Sequence, residues 1–125
     1  MDVVAHICEL LGDRGRRRVP LLQLVNESGY RESPELLNVD STASYLSEHE
    51  ELIDPWLGYS LDKRTSRGWY IRRRAGAFEI GYVPVGERET IAIEDRIRAC
   101  AEFIVREVQE IVSLFPGSSA QSDGK

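Results

Sequence analysis

Lys63-Arg64-Thr65-Ser66-Arg67-Gly68-Trp69-Tyr70-Ile71-Arg72-Arg73-Arg74-Ala75-Gly76-Ala77-Phe78-Glu79-Ile80-Gly81-Tyr82-Val83 is the stretch whose reading decides the fold. Two runs rich in aromatic and β-branched residues flank Ala75-Gly76, which reads as a hairpin with a two-residue turn. That turn sets a register. Arg74 faces Ala77, Arg73 faces Phe78, Arg72 faces Glu79, Ile71 faces Ile80 and Trp69 faces Tyr82. The period of two then puts Trp69, Ile71, Phe78, Ile80 and Tyr82 on one side, broken only by Arg73 at the turn end. The other side carries Tyr70, Arg72, Arg74, Glu79 and Gly81. Arg72 opposite Glu79 is a favourable cross-strand pair. Tyr70 opposite Gly81 reads as an aromatic laid over a glycine, or as a bulge. Ala-Gly is a weaker turn signal than Asn-Gly, and a longer loop would shift the register.

An apolar sheet face needs a cover, and the segment from Asp95 to Leu114 supplies one. Ile97, Cys100, Ala101, Ile104, Val108, Ile111, Val112 and Phe115 form a helical stripe. Glu94, Arg98, Glu102, Arg106 and Glu110 alternate in sign four residues apart, which predicts a wet opposite face and a helix on the outside of the domain. Between hairpin and helix, Pro84 stops the second strand. Glu89 to Ile93 either adds a third strand or leads into the helix.

Working back from the hairpin, Asp2 to Leu11 predicts a helix with Asp2 as cap and Gly12 as stop. Pro20 opens a second helix with Leu21, Leu22, Leu24 and Val25 buried, ended at Ser28-Gly29. Ser33-Pro34 can start a single turn. Asp40 or Ser41 caps a third helix, which Pro55 ends near Asp54. Trp56-Leu57-Gly58-Tyr59 reads as an apolar knot packed under the hairpin, and Ser60 to Arg67 as a polar, basic loop. The expected architecture is α+β: N-terminal helices, a β-hairpin or three-stranded antiparallel sheet, and a long C-terminal amphipathic helix. Residues 1–115 form one domain and residues 116–125 a disordered tail.

The 125 residues carry a net charge of −5, with 14 arginines and only 2 lysines among the cations. That balance disfavours general nucleic-acid binding, which needs a cationic surplus on at least one face. The two cysteines, Cys8 and Cys100, fall on apolar helix faces and read as buried free thiols. The start lacks the basic region of a signal peptide, and no apolar run reaches the about 18 residues of a membrane span, so a cytoplasmic protein is expected.

Motifs for chemistry are sparse. His6 and Cys8, two apart on a helix, point about 200° away from each other and cannot share a ligand. His49 lacks a second ligand four residues on, where Ile53 stands. There is no nucleophile elbow, phosphate loop or zinc-protease motif. No cofactor, metal or catalytic residue is therefore expected. An enzyme built from scattered groups would need a pocket near Trp56, Tyr59 and Tyr70. The basic stretch offers a nucleic-acid alternative: Lys63, Arg64, Arg67, Arg72 and Arg74, with Tyr70 among them, on a winged-helix-like order of three helices then a hairpin. Against it, the would-be recognition helix carries Asp40, Glu48, Glu50 and Glu51 and no cation. The plain alternative is that these arginines pair with the chain's own acids.

Arg64-Thr65-Ser66, Gly68-Trp69-Tyr70, Gly81-Tyr82 and Ala99-Cys100-Ala101-Glu102-Phe103-Ile104, followed by Glu107 and Ile111, form a pattern over residues 60–112. It resembles small uncharacterised bacterial proteins, some of them similar to the immunity proteins of toxin–immunity systems. The resemblance implies a cytoplasmic partner-binding protein and assigns no catalytic residue. An acidic immunity protein suits a basic toxin domain as its partner. The acidic surface expected to meet that partner is Glu48, Glu50, Glu51 and Asp54.

Overall fold

The computed structural model describes residues 2–12, 20–63 and 67–115. Residues 13–19 and 64–66 and the tail at 116–125 lie outside them. β1 (Gly68–Arg74) and β2 (Ala77–Val83) pair antiparallel from Gly68 opposite Val83 to Arg74 opposite Ala77, the register that the two-residue turn predicts. The turn closes because Ala75 and Gly76 both take positive φ, 54° and 80°. That is the type I′ combination, whose twist matches the strands. β3 (Ile91–Ile93) joins β2 antiparallel, giving the order β1-β2-β3. There is no bulge at Gly81: the Tyr70 ring lies over it, and a Cβ there would sit 2.6 Å from the ring's Cζ.

The N-terminal helices are α1 (Val3–Cys8), α2 (Leu21–Glu27) and α3 (Val39–Glu48). Asp2 caps α1 by accepting from the Ala5 amide at 2.8 Å. α1 ends at Glu9, ahead of the expected stop, and residues 10–12 are again helical. Asn38, not Asp40 or Ser41, caps α3. Its side chain accepts from the Ser41 amide at 2.8 Å, and the Ser41 hydroxyl accepts from the Asn38 amide at 3.1 Å. This reciprocal box satisfies two end donors, which a cap one or two residues later could not do.

The larger departure follows α3. The chain does not leave helix at Pro55. A 3-10 turn at Glu50–Leu52 leads into α4 (Ile53–Lys63), which absorbs both the Trp56-Tyr59 knot and half of the expected basic loop. Pro55 is the third residue of α4, where an amide has no intrahelical acceptor, so its missing N–H is harmless. α4 runs beside β1. The buried Ser60 hydroxyl donates to the Ile71 carbonyl at 3.0 Å and accepts from the Ile71 amide at 2.8 Å. A side chain thus does what a fourth strand would do, and it closes that edge of the sheet.

α5 (Arg96–Leu114), capped by Asp95 through the Arg98 amide at 2.7 Å, covers the inner sheet face as expected. It does not lie on the outside. α5 packs against α3 on one side and against β1 and β2 on the other. Its buried set therefore extends beyond the apolar stripe to Ala99, Phe103, Val105, Glu107 and Glu110. Of the expected charge ladder only Glu102–Arg106 forms as an i,i+4 pair, at 2.7 Å. Glu110 is buried instead, because that side of the helix meets the sheet.

Candidate functional site

Three charged surfaces and one groove bear on function. The acidic corner lies where α3 passes through the 3-10 turn into α4. Glu48, Glu50, Glu51 and Asp54 are all exposed there. His49 sits among them, its ring stacked on Tyr45 at 4.2 Å between centroids and its Nδ1 3.7 Å from Glu51. Asp54 is held by Arg96 at 2.6 Å, and Asp40 on the same flank by Arg98 at 3.3 Å. Glu48 and Glu50 form no ion pair among the described residues. The structure brings the four expected acids together; among the described residues Glu48 and Glu50 meet no cation, and Glu51 has His49 beside it.

The basic stretch disperses. Lys63 ends α4 with its side chain outside the described set, and Arg64 lies outside it altogether. Arg67 closes on Glu87 at 2.7 Å. Arg72 and Arg74 both close on Glu79, at 3.1 and 3.0 Å. The Tyr70 hydroxyl donates to the same Glu79 carboxylate at 2.6 Å. That bond, then Arg74 and the charges of Arg72 and Arg74, hold the Glu79 carboxyl below its usual range against the opposing effect of burial. Burial, then the bond to Glu79, pushes the Tyr70 hydroxyl up. The outer sheet face is therefore a tied network of two cations, one anion and one phenol. A phosphate would have to displace Glu79 to gain a bidentate arginine.

A second cluster stands at the opposite end of β1 and β2, and the sequence reading missed it. Arg67 and Arg88 lie over the Tyr82 ring, 5.7 and 4.8 Å from its centroid, and Arg106 lies 4.8 Å from that of Trp69. The two rings meet edge to face at 5.1 Å. Beneath them the Tyr82 hydroxyl donates to Glu110 at 2.7 Å, and that bond, then burial, raises its pKa. Tyr59 donates likewise to Glu107 at 2.5 Å, and Tyr45 to Glu9. Four tyrosines thus each donate to a glutamate. A phenol can follow a carboxylate into a half-buried site because it brings apolar area with its donor. One signal was readable beforehand: Glu107 falls within the Ile104, Val108, Ile111 spacing, so a carboxylate was bound for the buried face.

The groove lies between the C-terminal half of α4 and the residues after β2. It has a volume of about 420 Å³ and is lined by Ser60, Leu61, Tyr70, Ile71, Arg72 and Val85. Leu61 and Val85 are 59% and 92% exposed, so its rim is apolar and open. It is not the converging pocket that an enzyme reading asks for at Trp56, Tyr59 and Tyr70. Trp56 is buried and donates its ring N–H to the Cys8 carbonyl at 3.0 Å. Tyr59 is engaged by Glu107, and the Ser60 hydroxyl by Ile71. Cys8 and Cys100 are buried free thiols, both pushed up to about 12 chiefly by burial. Such thiols are inert as nucleophiles at neutral pH. No group of three or more metal-ligating side chains occurs among the described residues, and no described helix is long and apolar enough to cross a membrane.

Comparison with family models, curated proteins and solved structures finds no match. The fold stands on the structure, and any function must be argued from these surfaces.

Proposed function

We propose that this chain is a non-enzymatic protein-binding module of the immunity type, whose acidic corner meets a basic partner domain. The observation that carries this reading is the contrast in how the charges are spent. Arg67, Arg72, Arg74, Arg96, Arg98 and Arg106 each close on a carboxylate of the same chain. Glu48 and Glu50 do not, and they sit exposed at one turn beside Glu51. The uncompensated charge of that corner is negative, and such a patch accelerates the approach of a basic surface.

The test is complex formation with the product of the neighbouring gene, followed by stopped-flow association kinetics at low and high salt. Glu48→Arg with Glu50→Arg lowers the association rate on the order of 10-fold or more at low salt and flattens its salt dependence. An association rate indifferent to both salt and the double reversal removes the acidic corner from the interface. Failure to form any complex removes the reading as a whole.

A further inference from the structure

The two edges of the sheet are treated differently. β1's edge is covered by α4, with Ser60 bonded to both backbone groups of Ile71. Those bonds fix the sense of the whole ladder. Because the Ile71 amide and carbonyl point away from β2, those of its partner Ile80 point toward β3, and Ile80 stands opposite Ile91. The next residue, Ala92, then turns its amide and carbonyl away from the sheet. Ala92 is exposed, and neither of its backbone groups has a hydrogen-bond partner among the described residues. β3 is an open edge.

Three features say what fits it. Ile91 and Ile93, on the inner face, are only partly buried and still pack on the core, so side chains of an added strand would complete their cover. On the outer face a hollow of about 330 Å³ lies over the turn end of the sheet between Arg74, Ala77 and Glu79 and reaches the edge at Thr90 and Ala92, with room there for a side chain of an added strand. Glu89 and Glu94, before and after β3, are exposed and form no ion pair among the described residues. The nearby cations are engaged elsewhere. Arg74 is on Glu79, Arg96 on Asp54 and Arg98 on Asp40, while Arg73 lies over Phe78 and Arg88 over Tyr82.

From this we infer that β3 accepts an extended strand of a basic partner protein, pairing its main chain with Ala92 and its flanking lysines or arginines with Glu89 and Glu94. This is strand addition, in which backbone bonds supply affinity and alternate side chains supply selectivity. A second copy of the chain fits less well, because antiparallel pairing about Ala92 sets Glu89 against the other copy's Asp95 at both ends. The inference rests on the reading of the chain as a protein-binding module and adds a second place of contact to it.

The probe is a capped peptide alternating lysine or threonine with valine, titrated into the full chain with amide shifts followed by NMR. An otherwise identical peptide with glutamate for lysine is the control. Binding of the basic peptide with shifts centred on residues 90–94 is expected. Ala92→Pro removes only the outward donor, at an edge position where proline is tolerated, and should weaken binding at least tenfold. Glu89→Lys with Glu94→Lys, on exposed side chains, should do the same and keeps the test open if the proline variant unfolds. No binding up to about 1 mM, a dissociation constant too weak to matter for a specific complex, overturns the inference. So do shifts centred elsewhere, or equal binding of the acidic peptide. Self-association that Ala92→Pro abolishes in sedimentation assigns the edge to a second copy and also overturns it. A partner complex that survives Ala92→Pro refutes the edge and leaves the module reading standing.

Discussion

Gly81 holds its place in β2 because Tyr70 needs the space above it. The phenol lies across the glycine and reaches Glu79, where Arg72 and Arg74 also end. A Cβ at 81 would meet the ring at Cζ, so Gly81→Ala must push Tyr70 off its carboxylate. Overpacking of this kind costs about 1–3 kcal/mol. We expect chemical denaturation to show a loss in that range for Gly81→Ala, and a smaller one for the Gly81→Ala, Tyr70→Ala pair than the two single losses added. Strict additivity would mean that the ring and the glycine do not interact. Facing positions 70 and 81 made this contact readable from sequence. The convergence of two arginines on Glu79 was readable only for Arg72, its direct cross-strand partner; Arg74 reaches the same carboxylate diagonally, as long side chains can.

Among the elements, α4 was the one that sequence reasoning failed to find. Two correct rules combined to hide it. A residue before proline avoids helix, and a proline inside a helix breaks it. The second applies to the interior, and Pro55 stands in a first turn; Asp54 takes helical conformation against the first. Whether residues 53–63 prefer helix could not be decided from Trp56-Leu57-Gly58-Tyr59 alone, since a short apolar run suits a strand, a loop or a helix. The edge of β1 decides it: Ser60 is needed on a rigid element at the height of Ile71. Ser60→Ala leaves a buried amide and carbonyl without partners, so a destabilisation of about 1–3 kcal/mol is expected, with faster hydrogen exchange at the Ile71 amide. An unchanged exchange rate at that amide would show that the hydroxyl does not close the edge.

For the whole molecule, the sum of the buried acids and thiols sets a response to alkali. Cys8 and Cys100 are raised from 9.0 to about 12, and Tyr30, Tyr45, Tyr70 and Tyr82 are raised from 10.0. A group raised on folding contributes stability that is complete below its unfolded pKa and lost as pH climbs through its folded one. The unfolded chain therefore sheds these protons first, and stability falls from about pH 9 upward, by an amount on the order of several kcal/mol by pH 12. Thermal melts across that window test it, and Cys8→Ala or Cys100→Ala should shallow the slope. A slope that neither variant changes would mean that the thiols are not buried as described.

What the sequence by itself determined is local: the hairpin register, the turn at Ala75-Gly76, the C-terminal helix, the α+β class. Each follows from periods of two or 3.6 and from turn chemistry, which act over a few residues. Only the tertiary structure decided that α5 lies in the middle, that Glu107 and Glu110 go inside with it, and that, among the described residues, one sheet edge is covered while the other is not. Those outcomes depend on which element lies against which. A charge ladder on a helix looks the same whether it faces water or a row of tyrosines, and nothing in Ile91-Ala92-Ile93 says whether a neighbouring element will cover it.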